Sequence, residues 1–228
     1  MDEIGSIYAD GRVRLSDLVS SEDPSGQTRP VPGCPAWAVR DVLAHVTGVC
    51  ADVLSGNLEG VTTEPWTAAQ VAQRKDKSLA EILDEWAAVA PQVEAIASHF
   101  PGRTDEQWVL DLTTHEHDIR GALSCPGGRD AAGVLVGLDF AATMGLAASV
   151  NARGLPALLV KAGDRQWVIG DGEPAASVEG SPFELLRAMT GRRSERQVRA
   201  LRWEGEVDLF VRAFEFGPFT FPESDLVE

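Results

Sequence analysis

Cys34-Pro-Ala-Trp-Ala-Val-Arg-Asp41-Val-Leu-Ala-His45 is the stretch that says most about the fold of this chain, and Asp111-Leu-Thr-Thr-His115 repeats its pattern further on. Both stretches predict helices, and each has a carboxylate four residues before a histidine, on the same helical face. If the two faces meet, they enclose a metal site. Imidazole and carboxylate ligands from two helices suit a divalent transition metal, zinc above all, and three protein ligands leave one position open for water or substrate.

The spacing alone is a weak signal. In a chain this acidic with four histidines, an acidic residue four positions before one of them arises by chance about half the time. Two such pairs on otherwise apolar helices strengthen it, since a buried imidazole needs a partner. The alternative is that each histidine bonds its neighbouring aspartate and no metal is involved. Asp118 returns to the face of His115 and is expected to orient that ring from the second coordination shell. We expect His117 to face solvent and His99 to lie at the end of a helix.

The charge balance excludes some partners. The 228 residues carry 20 Lys and Arg against 35 Asp and Glu, a formal charge of −15. Nucleic acid and anionic membrane surfaces both require a basic footprint, so neither is an expected partner. The N-terminus has no signal-peptide pattern, and we find no run of about 18 uncharged apolar residues. These features predict a cytoplasmic protein.

The cysteines also favour a reducing compartment. Cys34, Cys50 and Cys125 form neither an even set nor a C-x-x-C pair, which predicts free thiols. Cys34 at a predicted helix start could be a nucleophile, because a helix N-terminus lowers the pKa of a thiol. The simpler reading, which we favour, is a small half-buried residue in a tight turn.

Apolar residues at helical spacing fill roughly the first 150 positions and predict a bundle of four or five helices. A loop rich in proline, residues 20–35, separates the first two helices, and a further short helix is expected after Trp66. The predicted helices span residues 4–19, 36–55, 79–100, 105–123 and 131–151.

The pattern changes after Gly154 to short alternating stretches separated by glycine turns. These predict a small antiparallel meander followed by two helical segments. We therefore expect an α+β protein with a helical domain over residues 1–153 and a small α+β domain over residues 154–228. The predicted strands span residues 155–161, 166–169 and 175–179, and the helical segments cover residues 181–190 and the residues from 194 onward.

One region of this acidic chain is positive. A solvated helix face is its ordinary interpretation, but near a metal it would attract an anionic substrate, since guanidinium binds carboxylates in bidentate fashion. Its members are Arg187, Arg192, Arg193, Arg196, Arg199 and Arg202.

Several of these motifs resemble one known family. The stretch from Pro32 to His45 resembles the signature of the mycothiol-dependent maleylpyruvate isomerase family, a branch of the DinB-like metal-binding bundles. The stretch from Asp111 to Leu123 is similar to the family's helix with an acidic ligand, three spacers, a histidine and then Asp-Ile-Arg. Residues 185–194 look like the Gly-Arg segment of its second domain. The resemblance implies an N-terminal DinB-like four-helix bundle followed by a small C-terminal α+β domain.

The resemblance also implies a site. The family binds a metal, usually zinc, and the residues at its ligand positions correspond here to His45, Asp111 and His115. Its isomerases add the thiol mycothiol to a substrate double bond, permit rotation and eliminate the thiol. Arginines hold the substrate carboxylates, for which Arg192 and Arg193 are the candidates. The family's acidic ligand is typically glutamate, so Asp111 is one methylene shorter.

Three functions are therefore open. The first is a zinc-dependent isomerase or thiol transferase that uses mycothiol on a small anionic electrophile such as maleylpyruvate. The second is a binding or regulatory protein that keeps the bundle without the chemistry, consistent with the shorter acid at Asp111. The third is a metal-dependent hydrolase in which the metal, zinc or another divalent ion, activates water instead of a thiol.

Overall fold

The computed structural model describes residues 3–23 and 25–228. The chain divides into two compact units, the first reaching Gly127 and including Glu228, the second running over Gly128–Val227. Among the described residues, the first unit consists of helices and one short hairpin, and the second combines helices with a four-stranded sheet. The predicted α+β class is thus confirmed.

The helices of the first unit form a bundle. α1 packs against α4 and α5, while α2 packs against α3, α4 and α5. Their bounds are α1 Glu3–Ser21, α2 Val39–Ser55, α3 Glu64–Gln73, α4 Leu79–Glu94 and α5 Thr104–Leu123.

Two predicted helix ends differ from the structure. α2 begins at Val39 rather than at residue 36, because β2 (Cys34–Ala38) is extended and pairs with β1 (Pro30–Val31) in an antiparallel hairpin. α4 ends at Glu94, and a separate 3-10 turn, Ala97–His99, follows it. Cys34 therefore lies in a strand that leads into the helix.

Aromatic rings fill the centre of the bundle. Tyr8 stacks on Trp108 with the ring centroids 3.5 Å apart, and Trp86 meets Tyr8 edge-on at 6.5 Å. The Tyr8 hydroxyl lies 3.3 Å from the Cys50 sulfur. Burial raises the pKa of the Cys50 thiol to about 12, so this cysteine belongs to the core and is not reactive.

Buried ion pairs connect α1 to the helices around it. Arg14 donates to one oxygen of Glu116 at 2.8 Å, and Arg120 donates to the other at 3.0 Å. Arg12 donates to Glu94 at 2.7 Å. Glu116 is 1% exposed, so its buried charge depends on these partners, and its pair with Arg14 joins α5 to α1.

The second unit begins with a continuous helical rod made of α6 (Ala132–Phe140), a π-helical segment (Ala141–Leu146) and α7 (Ala147–Ala152). α6 packs on the later helix α8 (Pro182–Met189), and the π-helical segment contacts strand β4 (Arg165–Ile169). These contacts place the rod in the second unit. The structural division therefore falls before Gly128, whereas the prediction set it near Gly154.

The rod is long and apolar enough to cross a membrane by length and composition alone. It is interrupted by one acid, Asp139, which accepts a hydrogen bond of 2.7 Å from the indole of Trp167. Of its most apolar 18-residue window, 44% is buried within the protein. The contact with Trp167 joins the rod to strand β4 of the same unit.

Besides β4, the sheet of the second unit contains β3 (Ala157–Ala162), β5 (Pro174–Glu179) and β6 (Arg202–Gly205). The strand order is β4-β3-β5-β6. Only part of it is the predicted meander. β4 pairs antiparallel with β3 as expected, but β5 returns to the other edge of β3 and runs parallel to it. The alternation of side chains specifies a strand but not the edge to which it adds, which is why the meander prediction was wrong for β5. The remaining α-helices are α9 (Glu195–Arg199) and α10 (Val207–Phe210).

Candidate metal centre

The three predicted ligands lie together in the first unit. Asp111 Oδ1 is 3.4 Å from His45 Nε2 on α2 and 3.6 Å from His115 Nε2 on its own helix α5. The two imidazole centroids are 5.1 Å apart, with their planes at 83°. The ligand atoms of the three residues all lie within 4.8 Å of one another, which is close enough to hold one ion.

Asp41 is not part of this cluster, although its spacing from His45 pairs it with that residue in the sequence. Its carboxylate turns back to the start of α2 and accepts the backbone N–H of Ala38 at 3.0 Å. An acid in the first turn of a helix is stabilised there by the unpaired N–H groups. Of the two sequence pairs, only Asp111 and His115 form a pair in space.

The cluster is buried on its imidazole side and open on its carboxylate side. His45 and His115 are 3% and 7% exposed. The Asp111 side chain is 34% exposed. Solvent therefore reaches the cluster past Asp111, as a site with an exchangeable ligand position requires.

Hydrogen bonds aim both imidazoles at Asp111. His115 Nδ1 lies 3.1 Å from Asp118 Oδ2, the orienting contact that the spacing of these two residues predicts. His45 Nδ1 lies 2.7 Å from the side-chain oxygen of Gln70 on α3. With an acceptor at each Nδ1, both rings present Nε2 to Asp111, and such outer partners raise the basicity of a ligand and fix its orientation.

The charge environment changes the protonation of His45. Burial by itself lowers the pKa of His45, but the charge of Asp111 and the hydrogen bonds to Asp111 and Gln70 outweigh it and raise that pKa above its ordinary value. His45 therefore holds its second proton to higher pH than an ordinary imidazole does. Metal binding at Nε2 must displace this proton, so protons and metal compete for the site.

The raised pKa predicts how the stability of metal-free protein depends on pH. The unfolded chain loses its His45 proton near pH 6.5, while the folded chain holds it to higher pH. The stabilisation that the His45 proton gives to the folded state is thus complete below pH 6.5. It is lost as pH rises through the pKa of His45 in the folded protein. Urea unfolding with a chelator present, between pH 6 and 8.5, is expected to show a free energy of unfolding that declines more steeply than in His45→Gln. Equal slopes in the two proteins would contradict this protonation.

Two neighbours of the site, Cys34 and Trp37, are not among the ligands that the sequence predicts. Cys34 Sγ lies 3.4 Å from Asp118 Oδ2 and 3.9 Å from His115 Nδ1, and these three residues form a second group that could hold a metal ion. The Trp37 ring lies 5.2 Å from that of His45. Both residues belong to the hairpin strand that leads into α2, and their place in the same motif as His45 was the available signal.

The other histidines differ in burial. His117, which was predicted to face solvent, is only 2% exposed. The prediction was wrong because α5 is buried continuously from Leu112 to Ile119, so two residues of rotation do not bring a side chain to the surface. His99 is exposed at the end of its 3-10 turn.

Arg192 and Arg193, the candidates for holding the substrate carboxylates, form hydrogen bonds within the second unit. Arg193 is 5% exposed and binds both carboxylate oxygens of Glu184, at 2.7 and 2.9 Å. Arg192 is 7% exposed and donates to the backbone oxygen of Thr190 at 2.6 Å. The expected solvated face is also incomplete, since Arg187 is fully buried. These contacts favour a structural role for Arg192 and Arg193 over binding of a substrate carboxylate.

The comparison with known families agrees with the geometry of the first unit. The model of the mycothiol maleylpyruvate isomerase N-terminal domain matches residues 8–123, just over half of the chain, and this range contains all three clustered residues. No curated protein and no solved structure matches the chain. The match confirms the resemblance inferred from the motifs at His45 and Asp111. The chain belongs to the mycothiol maleylpyruvate isomerase family.

Proposed function

We propose that this protein is a divalent-metal enzyme, with zinc as the expected ion, that uses mycothiol as its thiol. It either isomerises a small anionic electrophile such as maleylpyruvate or transfers the thiol to it. The observation that carries the proposal is the convergence of His45, Asp111 and His115, whose donor atoms lie within 4.8 Å of one another. Membership of a mycothiol-associated family supports the thiol. We place the reaction in the cytoplasm, where low-molecular-weight thiols stay reduced.

The residues present fit a metal by their chemistry. Two imidazole nitrogens and one carboxylate oxygen form a common donor set for catalytic zinc. Both rings are buried, and each has its Nδ1 beside an acceptor, Gln70 for His45 and Asp118 for His115.

In this proposal each side chain has a separate task. Asp118 and Gln70 hold the Nδ1 protons, so that the Nε2 atoms of His45 and His115 remain ligands. The partly exposed Asp111 supplies the third ligand at the side that solvent reaches. When bound, a divalent ion at this site lowers the pKa of a coordinated thiol and holds it as a thiolate nucleophile. The Trp37 ring lies beside both imidazoles, with centroids 5.2 Å from His45 and 6.2 Å from His115.

The test is elemental analysis of the full chain purified without chelator, combined with turnover of maleylpyruvate with and without mycothiol. We expect about one zinc ion per chain and turnover that requires the thiol. Protein that retains no metal and shows no turnover would favour the binding or regulatory alternative. Metal-dependent hydrolysis of a test ester without added thiol would favour the hydrolase.

The short acid gives a further prediction. Because Asp111 Oδ1 already reaches both Nε2 atoms, at 3.4 and 3.6 Å, aspartate is long enough for the site. Its partial exposure leaves room for one more methylene, so Asp111→Glu is expected to bind zinc at least as tightly as the parent. Asp111→Ala, which removes the oxygen, should bind at least about 10-fold more weakly. Chelator competition measures both affinities, and a large loss in Asp111→Glu would contradict the ligand assignment.

A further inference from the structure

A chain of buried hydrogen bonds runs behind His45. Its Nδ1 lies 2.7 Å from Gln70 Oε1, and Gln70 Nε2 lies 2.7 Å from Asp52 Oδ2. The other Asp52 oxygen accepts from Asn57 Nδ2 at 2.9 Å. Gln70 is completely buried and Asp52 is 7% exposed. Of the residues in this hydrogen-bonded series, the sequence motifs single out His45 alone.

The chemistry of these groups determines which atom donates in each of these hydrogen bonds. A carboxylate can only accept hydrogen bonds, so Asp52 takes the amide nitrogen of Gln70. The amide oxygen must then face His45, and an oxygen can only accept. His45 Nδ1 is therefore the donor and carries a proton. In the neutral ring, Nε2 is left with its lone pair directed toward Asp111.

The fold makes room for this arrangement at one glycine. A Cβ added to Gly48, one turn beyond His45 on α2, would lie 2.5 Å from the Cβ of Gln70. Only glycine lets the Gln70 side chain lie flat on α2. The helix that carries Gln70 is anchored at both ends, by the Trp66 indole donating to the Asn57 carbonyl at 3.0 Å and by Arg74 donating to Glu85.

We propose that Gln70 and Asp52 are positioning residues that select the Nδ1–H tautomer of His45 and so keep its Nε2 available for a metal. The functional meaning rests on the proposed metal centre, but the tautomer itself does not. Without an acceptor at Nδ1, the Asp111 carboxylate beside Nε2, at 3.4 Å, would draw the proton to that atom and block the ligand position. His115 achieves the same orientation with a carboxylate, Asp118, in place of the amide.

The experiment is imidazole nitrogen NMR of the metal-free full chain labelled with 15N-histidine and followed to pH 10. The chain has only four histidines. Three variants are compared with the parent. Gln70→Leu removes the acceptor, and Asp52→Asn keeps the size of the side chain but can donate to the Gln70 oxygen and turn the amide around. Gln73→Leu, at an exposed position of the same helix, is the matched control.

We expect the Nδ1–H form of His45 in the parent and in Gln73→Leu, and a shift toward Nε2–H in Gln70→Leu and Asp52→Asn. Zinc affinity by chelator competition should fall by about 10- to 100-fold in the last two only. A parent ring in the Nε2–H form, or an unchanged tautomer in Asp52→Asn, would overturn the proposal. If the parent binds no zinc, the metal centre is wrong, and the tautomer still decides the role of Gln70 and Asp52.

Discussion

Replacing His45 with alanine is expected to weaken zinc binding by more than the roughly 100-fold that loss of an outer-shell partner costs. The variant leaves only Asp111 and His115, which lie on one helix and cannot enclose an ion from two sides. It also leaves the Gln70 amide without the imidazole that it binds at 2.7 Å. Zinc affinity from chelator competition, with zinc content after dialysis, measures the effect.

The control is His99→Ala, which removes an exposed imidazole outside the cluster. It should retain parental affinity and zinc content. Circular dichroism of both variants establishes that each is folded before the affinities are compared. Equal zinc retention in His45→Ala and the parent would show that the metal, if present, is bound elsewhere, and the ligand assignment would be rejected.

Trp86→Ala is expected to lower the free energy of unfolding by about 3–5 kcal/mol, the usual cost of removing a fully buried aromatic side chain. Trp86 has no exposed surface and meets Tyr8 edge-on in the centre of the bundle. Its helix α4 supports α2, which carries His45, so zinc affinity should decline together with stability.

Urea unfolding measures this prediction, and Trp86→Phe provides the graded comparison because it keeps an aromatic ring in the same space. The phenylalanine variant should lose less stability than the alanine variant. A loss below about 1 kcal/mol in Trp86→Ala would mean that the aromatic cluster is not the core of the bundle.

The sequence contains enough information to predict the bundle and the cluster of His45, Asp111 and His115. Apolar periodicity specifies where α1, α2, α4 and α5 lie, and a four-residue spacing places Asp111 and His115 on one face. Such signals are local, because they depend on the period of a single helix. For the same reason they could not separate Asp41, which caps its own helix, from a partner of His45.

What the sequence could not predict depends on contacts between distant segments. Gln70 lies on a short helix with little amphipathic pattern, where a glutamine ordinarily faces solvent. Its role depends on Gly48 and Asp52 of another helix. His117 was assigned to the surface because periodicity does not reveal that α5 is buried on all sides along that part of its length.

Two groups of possible ligands share one imidazole. His115 offers Nε2 to the group with His45 and Asp111, and Nδ1 to the group with Cys34 and Asp118. The two groups differ in chemistry, because only the second contains sulfur. They also differ in bond length, since zinc binds imidazole nitrogen and carboxylate oxygen at about 2.0–2.2 Å and thiolate sulfur at about 2.3 Å.

Zinc K-edge X-ray absorption of the full chain, loaded with one equivalent of zinc and free of added thiol, shows whether His45, Asp111 and His115 hold the metal. We expect a first shell of nitrogen and oxygen alone, with the imidazole signal of two histidines, His45 and His115. A sulfur neighbour at about 2.3 Å would instead assign the metal to the group containing Cys34 and overturn the ligand assignment.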